Sequence, residues 1–187
     1  MKHMVQNKNN IEYEIILTLI KNKSHLREIG RTLNTPHSTI LRKINGLIKE
    51  NILDYNQEGK NKIFFIKQNL KSKNYIYSAE IYKLLKLLKK HPELAIIFEK
   101  IKKNTQKGMI ILFGSYTKGN SKEESDIDIY IETLDKNIKE KINRINTKIS
   151  VKLGKFDKKS LLIKEIIKNH IIIRGVEDFY EKNEFFE

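Results

Sequence analysis

The residues best suited to chemistry lie in one stretch, MIILFGSYTKGNSKEESDIDIYIE, which covers residues 109–132. An apolar run ends at Gly114 and Ser115, a polar loop follows, and two aspartates then open an alternating segment. If that segment is a β-strand, Asp126 and Asp128 project from the same face about 7 Å apart. Two carboxylates presented in this way suit a hard divalent cation such as Mg²⁺, which binds oxygen ligands together with substrate phosphates.

The turn before the aspartates has the composition of a phosphate-binding loop. Gly114 lets the backbone approach a phosphate closely, and Ser115 with the adjacent N–H groups can hold phosphate oxygens. Lys118 adds positive charge for a triphosphate bound at this loop. A cation held by the two aspartates would polarise the α-phosphate of that triphosphate and activate an attacking hydroxyl. The alternative is that Asp126 and Asp128 only protect an exposed edge strand or favour solubility.

The pattern G-S-x10-D-I-D after an apolar strand resembles the signature of the DNA polymerase β-like nucleotidyltransferases, particularly the minimal prokaryotic members. The resemblance extends over residues 92–180, because the segment KEIIKNHIIIRGVEDFY resembles the end of these small domains. It implies transfer of a nucleoside monophosphate from an NTP, with ATP expected, to a hydroxyl, and release of pyrophosphate. It also implies Mg²⁺ (or Mn²⁺) on the catalytic residues Asp126 and Asp128, and the triphosphate on Gly114 and Ser115.

One part of the family's site is missing from this sequence. The family has a third carboxylate on a following strand, but the candidate strand TKISVKL presents Lys148, Ser150 and Lys152 on that face. Glu132 lies about 13 Å along its strand from Asp128, too far to join the pair. Asp157 follows a glycine and would need a particular loop path to reach the site. A one-cation or weakened site is therefore expected.

The N-terminal part is expected to form a winged helix. Residues 11–22 have a helical stripe, and Ser24 is a candidate N-cap for a second helix. Pro36 suits the start of a third helix, since proline is tolerated in the first turn of a helix. That helix is expected to turn Ile40, Leu41 and Ile44 inward. Two short strands follow around a turn at residues 58–61.

This segment resembles the winged-helix DNA-binding domains of archaeal and bacterial regulators, in the phrase HLREIGRTLNTPHSTILRKINGLIKENILDY. In such domains the N-terminal residues of the third helix face base edges in the major groove. The candidates for base contacts are His37, Ser38, Thr39, Arg42 and Lys43. The candidates for phosphate contacts, which position the protein without specifying sequence, are Arg27, Arg31, Lys60 and Lys62. Protein docking or dimerisation is the alternative use of the domain.

The strands and helices that alternate in the C-terminal part predict an α+β protein. Its winged helix is expected to be followed by a small nucleotidyltransferase fold, whose short mixed sheet is flanked by helices. Two helices are expected within residues 78–104, separated at His91-Pro92. The expected division is a winged helix at 1–75, a helical connector at 76–107 and a nucleotidyltransferase domain at 108–187. The leucine stripe of the connector is either core or a homodimer contact; it consists of Leu84, Leu85, Leu87 and Leu88.

Charge and composition narrow the range of functions. The 187 residues include 37 Lys+Arg against 23 Asp+Glu, a formal charge of +14. Residues 1–75 carry +8, residues 76–107 carry +5 and residues 108–187 carry +1, so a polyanion is the expected partner of the N-terminal part. A general lysine-rich bias is the alternative. Without cysteine a thiolate zinc site is excluded, and the five histidines lack metal-ligand spacing. The sequence has no membrane span or secretory signal, so a cytoplasmic protein is expected.

Three hypotheses follow. The first is a nucleotidyltransferase that binds double-stranded DNA and modifies a macromolecule; by the resemblance, the chain would be an antitoxin and the macromolecule its partner toxin. The second is a transcription regulator with a degenerate nucleotidyltransferase domain that senses a nucleotide or mediates assembly. The third, an enzyme modifying RNA or tRNA ends, explains the basic charge but not the helix–turn–helix spacing.

Overall fold

The computed structural model describes residues 10–122 and 124–186, which divide into two compact units. The first unit ends at Ala79 and the second begins at Glu80, so the boundary lies within helix α4 (Leu70–Lys90). The other elements of the first unit are α1 (Ile11–Lys21), β1 (Ser24–His25), α2 (Leu26–Thr32), α3 (His37–Lys49), β2 (Leu53–Glu58) and β3 (Asn61–Ile66).

The first unit is a winged helix, as expected. Its antiparallel sheet has the order β1-β3-β2, and the two long strands join through a tight turn at Gly59 and Lys60. Helices α2 and α3 meet closely because residue 30 is glycine: a Cβ there would lie 2.6 Å from Cδ2 of His37. The backbone N–H of Thr35 donates to Gly30 O at 2.9 Å and closes the turn between the helices.

Three local expectations for this part were wrong. Ser24 does not cap α2; it lies in β1, opposite Phe64, and its hydroxyl donates to the Glu28 carboxylate. Leu41 is 41% exposed, whereas Ile40 and Ile44 are fully buried, because α3 turns only one narrow stripe inward. Helix α4 begins at Leu70, eight residues before the expected start.

The second unit is built on a four-stranded mixed sheet with the order β6-β5-β4-β7. Strand β4 pairs antiparallel with β5 and β7, and β5 pairs parallel with β6. The elements after α4 are α5 (Glu93–Asn104), β4 (Ile110–Phe113), α6 (Ser115–Lys118), β5 (Ile127–Glu132), α7 (Asn137–Asn143), β6 (Ile149–Gly154), α8 (Leu161–Lys168), β7 (Ile171–Arg174) and α9 (Val176–Lys182). Within the described ranges, no helix is long and apolar enough to span a membrane.

Helices α4, α5 and α7 cover one face of this sheet. Ile127, Ile129 and Ile131 of β5 point into that core, so Asp128 lies on the opposite face. Most of residues 76–107 belong to the second unit, and their buried side chains are part of its core. Of the leucine stripe, Leu87 is buried in the core, Leu84 and Leu88 pack against it, and Leu85 is 60% exposed.

A buried polar network joins α4 to the end of the second unit. The Glu80 carboxylate, 1% exposed, accepts a hydrogen bond from the Tyr180 hydroxyl at 2.9 Å and pairs with Lys83 at 3.1 Å. His170 Nε2 lies 3.3 Å from the same carboxylate, and its Nδ1 lies 2.9 Å from Ile166 O. Burial alone raises the pKa of Glu80, but Lys83 and His170 outweigh it and bring the pKa to about 2. The carboxylate is therefore ionised and fully partnered inside the fold.

Candidate functional site

The turn at Gly114 presses the loop backbone against an aspartate of the next strand. Phe113 and Asp128 are paired residues of β4 and β5, so Gly114 leaves the sheet directly beside Asp128. Gly114 has φ +76°, and a Cβ at this position would lie 2.2 Å from Oδ2 of Asp128. Thr117 closes the turn by donating its hydroxyl to Gly114 O at 2.8 Å. Glycine is required here both for the backbone conformation and for the close approach.

The two aspartates occupy the edge of the sheet that this turn faces. Asp126 is exposed just before β5, and Asp128 is half-buried on the strand. Burial raises the pKa of Asp128 above its ordinary value. The hydrogen bond from Ser150 lowers this pKa, and the negative charge of Asp126 raises it further. A carboxylate whose pKa is raised by the charge of a neighbouring carboxylate is well placed to share a cation with it.

Strand β6 places a hydroxyl beside Asp128. In the parallel pairing, Ser150 is the register partner of Asp128 and Lys152 that of Tyr130. The Ser150 side chain hydrogen-bonds to the Asp128 carboxylate, and the charge of Lys152 acts to lower the Asp128 pKa. The neighbouring position on β6 therefore supplies a neutral oxygen.

Glu132 and Asp157, the other two acids considered from the sequence, have local partners. Glu132 forms an ion pair with Lys182 of α9. Asp157 accepts a hydrogen bond from the backbone N–H of Lys159 at 2.9 Å. Among the described residues, no three His, Cys, Asp or Glu side chains gather as a metal-binding group. The oxygen donors of Asp126 and Asp128 nevertheless fit Mg²⁺, whose remaining ligands in nucleotide sites are substrate phosphates and water.

The loop residues after Gly114 lie against helix α8. Ser115 directly follows Gly114 as the first residue of α6 and is half-buried. Lys118 is exposed and forms an ion pair with Glu165 of α8 at 2.7 Å. The Thr117 hydroxyl also lies 3.3 Å from Asn169 O at the end of α8. Glu165 was missed by sequence reasoning, because no motif or spacing links it to the loop.

The winged helix presents most of the residues predicted to contact DNA on exposed surface. His37, Ser38 and Arg42 are exposed on α3, Thr39 is half-buried there, and Leu41 is exposed between them. The phosphate-contact candidates are also exposed: Arg27, Arg31, Lys60 and Lys62. Lys62 lies 3.9 Å from the centre of the Tyr55 ring, a cation–π contact on the wing.

Lys43 is placed differently from the other candidates. It is half-buried and pairs with Glu12 of α1 at 2.8 Å. The same Glu12 accepts a hydrogen bond from the Tyr75 hydroxyl at 2.9 Å. The Lys43 hydrogen bond is the main cause that lowers the pKa of Glu12, and it keeps the carboxylate charged. Lys43 therefore holds α3 against α1.

Comparison with known proteins finds one family model that matches part of the chain. Residues 95–178 match the family model described as polymerase beta, nucleotidyltransferase, and the match includes the Gly114 turn and both aspartates. This part of the chain is therefore similar to nucleotidyltransferase domains of the polymerase β kind. No curated protein matches the chain. One solved structure, the adhesin competence repressor AdcR from Streptococcus pyogenes, aligns over 55% of this chain and 71% of its own, with 13% identity and a TM-score of 0.36. A TM-score this low supports no argument.

Proposed function

We propose that this chain is a DNA-binding nucleotidyltransferase that moves a nucleoside monophosphate from an NTP, with ATP expected, to a hydroxyl of a macromolecular acceptor. The observation that carries the proposal is the contact between the Gly114 turn and the Asp128 carboxylate. A phosphate-binding turn and a cation-binding carboxylate placed in contact are what the α-phosphate of a nucleotide needs on its two sides.

Each residue of the site has a role in this reaction. Asp126 and Asp128 would hold Mg²⁺ (or Mn²⁺), which supplies charge stabilisation at the α-phosphate when bound. Ser115 and the backbone N–H groups after Gly114 would hold phosphate oxygens, and Lys118 would neutralise a further phosphate charge. The acceptor hydroxyl oxygen forms a bond to the α-phosphorus and loses its proton to water, the bond from the α-phosphorus to the oxygen of the β-phosphate breaks, and pyrophosphate leaves.

The size of the domain favours a macromolecular acceptor. The second unit spans residues 80–187, which places it at the lower end of the roughly 100–150 residues usual for a domain, and much of this chain builds the core, which leaves little of it to enclose a second small substrate. A protein acceptor supplies its own surface around the hydroxyl, and the partner toxin of this chain, acting as an antitoxin, would be such an acceptor. The winged helix would then allow the same chain to repress its own operon from the cytoplasm.

DNA binding is supported by the exposed surface of α3 and its charge. Arg42 and Ser38 offer hydrogen-bonding groups, and exposed Leu41 offers an apolar contact of the kind that reads a thymine methyl group. Arg27 and Arg31 on α2 flank this face and suit phosphate contacts. We leave Lys43 out of the base-contact set, because its ammonium group is held by Glu12. A homodimer through the exposed Leu85 side of α4 is a further proposal.

Calorimetry of ATP binding tests the nucleotide site without knowledge of the acceptor. The full chain is titrated with ATP with and without Mg²⁺, and compared with the double variant Asp126→Asn/Asp128→Asn. We expect binding that is strengthened by Mg²⁺ in the parent, and loss of the Mg²⁺-dependent part in the variant. No binding of any NTP under either condition would refute the proposal and favour a regulator with a degenerate domain.

A further inference from the structure

The outer surface of helix α3 continues beyond the residues predicted to contact DNA. Ile40, Ile44 and Leu47 are buried, and they fix the inward face of the helix. The opposite face, at the helical period of 3.6 residues, is a row of exposed side chains: Ser38, Arg42, Asn45 and Lys49. Asn45 therefore lies about one turn further along the helix than Arg42 and in the same row.

A glycine beside this row is not required by the packing of the described chain. Gly46 lies within α3, is exposed, and follows Arg42 by four residues, so the two positions are neighbours on the helix surface. No atom of the described residues lies within 4 Å of an ideal Cβ at residue 46, whereas a Cβ at Gly30 would lie 2.6 Å from His37. Glycine inside a helix lowers the helical equilibrium about 2- to 5-fold relative to alanine. The protein thus carries a destabilising residue that its own contacts do not explain.

The dimensions of a DNA groove give this glycine a use. An α-helix with its side chains is about 10 to 12 Å across, and the major groove of B-DNA is about 12 Å wide. A helix inserted into the groove brings its flanks against the sugar–phosphate walls, and a position without a side chain lets the wall approach closely. The charge of this part of the chain suits such a polyanion, because residues 1–75 carry +8 and Arg42 and Lys49 lie on the exposed row.

Asn45 offers a base-contacting group next to this glycine. Its side-chain amide carries both a donor and an acceptor, a pair that matches N6 and N7 of adenine in the major groove. Asparagine is also a poor helix former, so helix propensity does not account for its place inside α3. Residues 45 and 46 together therefore favour an external contact over the stability of the helix.

We propose that Asn45 and Gly46 form a second DNA-contacting turn of α3, in which the Asn45 amide contacts an adenine and Gly46 lets the sugar–phosphate wall approach the helix backbone. This inference rests on the DNA binding proposed for the winged helix, and it adds sequence specificity to that binding. It has a distinctive consequence, because a side chain added at residue 46 stabilises α3 and weakens DNA binding.

Selection from a pool of short DNA duplexes with randomised centres tests the contact to adenine. The full chain and its Asn45→Ala variant each select duplexes from the pool, and the bound duplexes are sequenced. We expect the parent to enrich adenine at one position, and we expect Asn45→Ala to lose that preference. The affinity of Asn45→Ala for the duplex most enriched by the parent should fall about 5- to 150-fold, measured by fluorescence anisotropy.

Two substitutions at residue 46 test the close approach of DNA. Gly46→Ala and Gly46→Leu add side chains of increasing size without a change of charge. Hydrogen exchange of the α3 amides in the full chain should slow about 2- to 5-fold in both variants, because both replace a residue that destabilises the helix. The affinity for the same duplex should fall about 5-fold in Gly46→Ala and further in Gly46→Leu, since atoms added to a packed contact are destabilising.

Asn74→Ala is the matched control for the asparagine. Asn74 is exposed on α4 in the same unit, and its amide donates to Leu70 O at 2.9 Å. Its replacement removes the same chemical group away from α3. The adenine preference and the affinity of Asn74→Ala should therefore equal those of the parent.

Slower exchange of α3 with weaker DNA binding, and loss of the adenine preference in Asn45→Ala, are the expected results. Parent-like affinity in both Gly46 variants, or a parent-like adenine preference in Asn45→Ala, would overturn the inference and leave the proposed DNA binding intact. Faster exchange of α3 together with weaker binding would show damage to the helix and would also overturn it. A parent that binds no duplex of the pool would overturn the proposed DNA binding, and the inference with it.

Discussion

Replacing Gly114 with alanine should disable the cation site more than it destabilises the fold. An ideal Cβ at this residue would lie 2.2 Å from Oδ2 and 3.0 Å from Cγ of Asp128. Because heavy atoms rarely approach a Cβ closer than 3 Å, the carboxylate must move by about 1 Å. A misplacement of this size lowers the reaction rate on the order of 100-fold at a catalytic site. Mg²⁺ requires its oxygen ligands at defined distances in an octahedron and will not tolerate that shift.

The backbone adds a separate cost to folding stability, so a second positive-φ glycine that does not contact Asp128 serves as the control. Gly119 has φ +74° in the left-handed α region, and nothing lies within 4 Å of its ideal Cβ, so Gly119→Ala carries a smaller backbone strain and no contact to Asp128.

Calorimetry with ATP and Mg²⁺, together with thermal unfolding, separates the two effects. We expect both variants to melt at a lower temperature than the parent. Only Gly114→Ala should lose the Mg²⁺-dependent part of ATP binding. If Gly114→Ala and Gly119→Ala bind ATP and Mg²⁺ equally well, the contact between the turn and Asp128 does not shape the site, and the reasoning is refuted.

Three further predictions concern other parts of the molecule. The pKa of Glu80 is lowered from 4.5 to about 2, so its contribution to folding is complete above pH 4.5 and is lost as the pH falls towards 2. Glu80→Gln should therefore lower the free energy of unfolding at pH 7 by about 3 kcal/mol in urea titrations, with a smaller loss below pH 4. The control Glu99→Gln, at an exposed residue, should change the free energy of unfolding by less than about 0.5 kcal/mol. A loss for Glu80→Gln that does not depend on pH would contradict the lowered pKa of Glu80. Ser150→Asp should supply the missing carboxylate beside Asp128. We expect the affinity for Mn²⁺ to rise about 10-fold, measured by electron paramagnetic resonance of free Mn²⁺ in a titration at saturating ATP; an unchanged affinity would show that this register position does not face the cation. Arg42→Ala should weaken binding to duplex DNA in a salt titration by about 1 to 3 kcal/mol, whereas Lys43→Ala should mainly lower the melting temperature; the reverse pattern would show that Lys43 is the residue facing DNA.

Much of the fold follows from local patterns in the sequence. The alternation of Ile127, Ile129 and Ile131 predicts a strand with its apolar face in the core, and this prediction is confirmed. The helix–turn–helix and the wing are also confirmed. They could be predicted because the hydrophobic periods of helices and strands differ and because the turns contain Gly59 and Pro36. The short strand β1 could not be predicted, since two residues have no period and Ser24 extends only by pairing with β3.

The sequence by itself determined the candidate residues for chemistry: a glycine turn after a buried strand and two aspartates on one face of the next. The tertiary structure alone decided their surroundings. It placed Ser150 beside Asp128 through the parallel register, Glu165 beside Lys118 through the packing of α8, and Lys43 against α1. The physical reason is that a strand's period sets the face of each side chain, whereas an ion-pair partner is set by the packing of segments far apart in the chain. In a chain with 37 lysines and arginines, no local pattern selects which of them meets a given carboxylate.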